Sequence, residues 1–98
     1  MHKEPNGIKE SDNKICYDEI DFDFIDLMAA NMAKNKDKYP PHNWHKPIPV
    51  SELSNAILRH ARKVHQPILE DVEDREQHLI SIACNAMMLW YQLKHKQW

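Results

Sequence analysis

The chain carries a single glycine, Gly7, close to its amino terminus. Tight hairpin turns draw on glycine because they need positive φ at one or both central residues. A sequence with no glycine beyond residue 7 has few ways to reverse a strand. That excludes a small all-β fold and favours helices joined by open connectors. The prolines stand where such connectors belong: Pro40, Pro41, Pro47 and Pro49 in one cluster, and Pro67 further on. Ninety-eight residues, 42% of them apolar, suffice for one domain with a modest core. The expected architecture is all-α, with a flexible tail over residues 1–16 and a single helical domain over 17–98.

Three helices follow from periodicity. The first is expected from about Asp18 to Lys36. It opens on acids and closes on lysines, as a helix dipole favours, and Ile25, Met28, Ala29 and Met32 recur at helical spacing beside Phe24. The proline cluster around Tyr39 and Trp44 ends it. The second starts near Pro49 to Ser51 and stops at about Gln66, before Pro67. Its stripe is Leu53, Ala56, Ile57, His60, Ala61 and Val64. The third runs from about Val72 to Lys96, with two apolar rows. One is Leu79, Ala83, Met87 and Trp90; the other is Ile82, Ala86, Leu89 and Leu93. A helix this greasy needs several neighbours, so we expect subunit contacts in a homo-oligomer.

Composition narrows the partners. A formal charge of −2 gives no electrostatic case for DNA or RNA. Cys16 and Cys84 are far apart and show no metal spacing, which fits a reducing cytoplasm. Met1 to Lys14 is polar, unlike the apolar stretch of roughly 7–15 residues in a signal peptide. The run Leu79 to Leu93 is interrupted by Ser81, Asn85 and Gln92 and is too short for a membrane span.

Candidate chemistry lies where polar residues interrupt apolar stripes. His60 takes a core-facing position on the second helix. His78 and Asn85, seven residues apart, share a face of the third, about 10 Å apart along its axis. Such groups either form a structural hydrogen-bond network or line a ligand pocket. Arg59, Arg62 and Lys63 make a basic flank, either a solvated face or a cradle for an anion. Trp44, near His42, His45 and Lys46, is either a hydrophobic pin or a stacking platform for a base. The acidic connector Glu70, Asp71, Glu73, Asp74 could hold Mg²⁺. Equally, Asp71 could cap the third helix, with Asp74 reinforcing it. His42 and His45 lack the cysteine partners of a structural zinc site.

The runs KYPPHNW, ELSNAILRH and HLISIACNAMMLWYQL, with the acidic connector between the last two, resemble small phage-encoded proteins. These are dATP/dGTP diphosphohydrolase N-terminal-like domains, relatives of the MazG-like all-α nucleotide pyrophosphohydrolases. The resemblance covers about residues 34–94. It implies a three-helix MazG-like subunit, an oligomer and a nucleotide ligand. In catalytic members, carboxylates spaced E-x-x-E and E-x-x-D on two helices hold Mg²⁺. Here Glu52 is followed by Asn55, and the aspartate position holds His78, with Arg75 three residues before it. Asn85 matches an asparagine common after that aspartate.

Three functions stay open at this stage. One is a nucleotide-binding protein using Trp44, Lys46, Arg59, His60, Arg62, Lys63, His78 and Asn85, without a cofactor. In a phage setting it could sequester a cyclic or signalling nucleotide in the host cytoplasm as an anti-defence device. Another is a Mg²⁺-dependent nucleoside triphosphate diphosphohydrolase with Glu70, Asp71, Asp74 and Glu76 as its acids. The third is a helical interaction protein with no small ligand.

Overall fold

A computed structural model describes residues 14–66 and 73–95. Asp21 starts the first helix, α1 (Phe22–Ala33): its carboxylate accepts the Asp23 and Phe24 backbone N–H groups at 2.9 and 3.4 Å. The expected start at Asp18 is corrected, because Tyr17–Glu19 forms a separate 3₁₀ turn. A second 3₁₀ turn, Lys34–Asp37, winds α1 down towards Pro40. His42 then takes φ 60°, in the left-handed region. That region costs a residue with a Cβ roughly 1–2 kcal/mol. It redirects the chain into a third 3₁₀ turn, Asn43–His45. Pro49 caps α2 (Val50–His65), its fixed φ of −58° already suited to a helix start. The last helix is α3 (Arg75–His95). No strand is present among the described residues.

Asp74 caps the start of α3, its Oδ1 accepting the Gln77 N–H at 2.9 Å. Asp71 and Glu70 lie outside the described residues. The principal packing is α2 against α3, with α1 on α3 as a lighter contact. Leu53 anchors α2, flanked by the half-buried Ala56, Ile57, His60 and Val64, while Ala61 stays exposed. On α1, Phe24, Met28, Asn31 and Met32 turn partly inward, and Ile25 and Ala29 stay exposed.

The face that α3 buries is the main departure from expectation. Its deepest positions are His78, Ile80, Ser81, Cys84 and Gln92. Leu79, Trp90 and Leu93 remain 47%, 62% and 53% exposed. Apolar residues occur nearly all around this helix, so polarity alone does not select an inner face. The polar row turns inward because partners await it there. Among the described residues, no buried side-chain nitrogen or oxygen lacks a hydrogen bond.

Gln92 shows the principle. It is 0% exposed and ties the proline-rich segment to α3. Its Oε1 accepts the Ile48 N–H at 3.2 Å, and its Nε2 donates to the Trp44 and Lys46 carbonyls at 2.9 and 2.8 Å. Trp44 sits half-buried with its ring edge-on to Tyr91, 5.1 Å between centroids.

Gln92→Leu preserves volume but orphans three backbone groups, each costing roughly 1–3 kcal/mol when buried unpaired. We expect a loss of at least ~2 kcal/mol in denaturant unfolding. Gln92→Glu should lose as much, because a carboxylate cannot donate to the two carbonyls. An unchanged unfolding midpoint for both variants would remove Gln92 from this role.

Candidate functional site

Two helices and the connector between them converge at the amino-terminal end of α3. The α2 stripe carries His60 inward after Leu53 and Ile57. The Asp74 cap fixes the first turn of α3, and the Asp74 carbonyl accepts the His78 N–H at 3.1 Å. His78 therefore meets His60 directly, Nδ1 to Nδ1 at 2.8 Å, with the rings tilted by 45°. His78 is 1% exposed, and His60 is half-buried. The Glu73 carboxylate, its side chain 38% exposed, reaches to 3.5 Å from His78 Nδ1.

Two Nδ1 atoms so close share one hydrogen. One ring donates it, and the other ring must accept, carrying its own proton on Nε2. Burial pushes the His60 imidazole below its ordinary pKa. Glu73 opposes that shift, while His78, Arg59 and Lys63 reinforce it. The last two contributions come from positive charge on the basic flank of α2.

Beside the pair, Glu73, Asp74, Glu76 and Gln77 line an open depression of about 360 Å³ with Lys34 from the end of α1. Lys34 Nζ donates to Gln77 Oε1 at 3.4 Å. Gln77 in turn donates to Asn31 Oδ1 at 3.1 Å, and Asn31 donates to Cys84 Sγ at 3.5 Å. Burial raises the Cys84 thiol pKa, and the Asn31 hydrogen bond partly offsets it. This string joins α1 to α3 and serves packing.

The residues singled out from sequence therefore divide. His60 and His78 come together, with Arg59 and Lys63 near them. Arg62 is exposed. Asn85 does not join the pair; its Nδ2 donates to the Ser81 carbonyl of its own helix at 2.8 Å. Trp44 and Lys46 sit at the other end of α3, beside Gln92. That position is fourteen residues past His78, about 21 Å along the axis. Trp44 acts as a pin there. Of the four acids, Asp74 and the exposed Glu76 line the depression, and Glu70 and Asp71 lie outside the described residues. Glu73 was legible as part of the acidic connector, but its pairing with His78 was not.

Magnesium is a poor match for the innermost cluster. It prefers an all-oxygen, near-octahedral shell, and two of the three converging groups are imidazoles. The Asp74 Oδ1 is already committed to the Gln77 N–H.

Fold and site together define a small helical domain with a pair of touching histidines, one buried and one half-buried, an adjoining carboxylate and a basic flank. The chain belongs to the family described as dATP/dGTP diphosphohydrolase, N-terminal, which matches residues 4–98. No curated protein and no solved structure matches it significantly. Among the described residues, no helix is long and apolar enough to cross a membrane.

If Asp74 serves α3 as a cap, Asp74→Ala should cost ~1 kcal/mol and Asp74→Asn only a few tenths, since asparagine caps equally well. Thermal unfolding of both variants reads this directly. Equal losses would assign Asp74 a role that needs its charge.

Proposed function

We propose that this chain is a nucleotide-binding domain that takes a purine deoxynucleotide at the histidine-pair end of α2 and α3. The carrying observation is the His60–His78 contact beside Glu73. Burying such groups is expensive unless they are paired, and an ordinary three-helix core has no need of them. Arg59 and Lys63 supply positive charge for phosphates, with arginine able to fork onto phosphate oxygens. The family description, dATP/dGTP diphosphohydrolase, N-terminal, supports the purine choice.

The domain acts as a homo-oligomer in this reading. Phe22, Leu27, Leu79, Trp90 and Leu93 are exposed large apolar residues on α1 and α3, and such surface favours a partner. A neighbouring copy could also bring Trp44 and Lys46 towards the histidine pair, which a single chain does not. Holding a nucleotide without cleaving it is the sequestering form of this function. A second reading, release of pyrophosphate from a deoxynucleoside triphosphate, is favoured by the three carboxylates Glu73, Asp74 and Glu76 around one depression.

One set of samples tests these points. Calorimetric titration with dATP, dGTP and a panel of linear and cyclic nucleotides should give binding to at least one purine member. Arg59→Ala and His60→Ala should each weaken it at least about tenfold, the scale of a lost charge-assisted hydrogen bond. Silence across the panel removes the nucleotide reading. Chromatography of the same mixtures with Mg²⁺ or Mn²⁺ separates holding from hydrolysis, and sedimentation velocity reads the subunit number. A monomer at every concentration sinks the oligomer.

A further inference from the structure

We infer that His60, Glu73 and His78 form a binding site for a divalent transition-metal ion of the zinc class. No spacing motif points to it. The two histidines are 18 residues apart on different helices, and the carboxylate comes from the connector. Only the packing of α2 on α3 assembles them.

Three observations carry the inference. The first is convergence: one ligand atom from each of the three residues lies within 4.8 Å of the other two. Zinc ligands at about 2.0–2.2 Å in a tetrahedron stand about 3.4 Å from each other. The Glu73 Oε1 to His78 Nδ1 distance is 3.5 Å, already at that spacing. The His60 to His78 separation of 2.8 Å needs to open by only about half an ångström to reach it.

The second is the donor set. Two imidazole nitrogens and one carboxylate oxygen suit Zn²⁺, Co²⁺ or Ni²⁺ and discriminate against Mg²⁺ and Ca²⁺, which want oxygens. The third is the contact between the two Nδ1 atoms. One hydrogen now lies between two nitrogens aimed at one point. A cation at that point takes both lone pairs; the ring that donated from Nδ1 moves its proton to Nε2, where the accepting ring already holds its own. No proton is lost or gained, because each neutral ring needs only one.

The site has a closed side and an open side. His78 forms the wall, at 1% exposure, and Glu73 borders the depression it shares with Lys34 and Glu76. Three protein ligands with a solvent-facing edge leave a coordination position for water or an anionic group, unlike a closed four-ligand structural zinc site. The other histidine pair makes a useful contrast. His42 and His45 stack nearly face to face, 4.9 Å between centroids and 24° between planes, so their lone pairs do not converge.

The proposal goes beyond nucleotide binding and is tested without it. Chelator-treated full-length chain is titrated with Zn²⁺, Co²⁺ and Mg²⁺ by calorimetry, and Co²⁺ is also followed by its visible absorption. The expected result is one Zn²⁺ or Co²⁺ per chain, no competing effect of millimolar Mg²⁺, and a Tm several degrees higher with metal, roughly as ligand linkage requires. Glu73→Gln and His60→Gln should each lower Zn²⁺ affinity more than about a hundredfold, beyond the roughly 10–100-fold cost of losing a supporting outer group. His42→Ala with His45→Ala should leave it unchanged. Helical circular dichroism confirms that each variant folds, and the fully buried His78 is left intact for that reason.

No Zn²⁺ or Co²⁺ uptake by the native chain overturns the site, and so does uptake that ignores both Glu73→Gln and His60→Gln. A site that Mg²⁺ fills equally well overturns the donor-set argument and the proposal with it. Nucleotide binding without metal uptake overturns the metal site and leaves the proposed function standing. Metal uptake without nucleotide binding does the reverse.

Discussion

Everything in this fold depends on a polar row facing inward on an otherwise greasy helix. His78, Ser81 and Gln92 are buried on α3 while Leu79, Trp90 and Leu93 are left in the open. Such an arrangement is stable only if each inward polar group finds a partner, since an orphaned one costs more than a lost apolar contact gains. The partners come from every neighbouring segment. The segment before α2 offers backbone groups to Gln92, α1 offers Asn31 to Gln77, and α2 offers His60 to His78. The network fixes register between elements whose apolar surfaces would allow several.

The two ends of α3 put this arrangement to different uses. At the carboxyl end, Gln92 is fully enclosed, and its three hydrogen bonds are closed upon themselves. Trp44 leans on Tyr91 there, and the chain gains a rigid connector between α1 and α2. At the amino end the network reaches solvent through Glu73. A half-exposed carboxylate next to two imidazoles, with Arg59 and Lys63 close by, is chemically responsive in a way the Gln92 clamp is not. The difference lies in access more than in residue type.

Membership of a diphosphohydrolase family and the make-up of this site stand in tension. The resemblance carries an expectation of paired carboxylates around a hard cation. Around His78 the chain offers a second imidazole and a single carboxylate, Glu73, and another of its acids, Asp74, is spent on starting a helix. The chain belongs to this family by sequence, while its innermost donors suit a softer ion.

How much of this was legible beforehand depends on the kind of physics involved. The missing glycines, the proline connectors and the apolar periodicity pointed to the all-helical structure of the described residues. Acids before the first and third helices, with Pro49 and Ser51 before the second, placed their starts to within a few residues. His60 and His78 stood out because local pattern marks a polar residue on an apolar stripe. The face that α3 buries was not readable, because a helix apolar all round carries no moment to aim it. Nor was the meeting of His60, Glu73 and His78, or the dispatch of Trp44 to the far end and of Asn85 to its own helix. Periodicity acts along one segment, so the residues alone decide it; pairing across segments depends on how helices dock, and that only the tertiary structure decides.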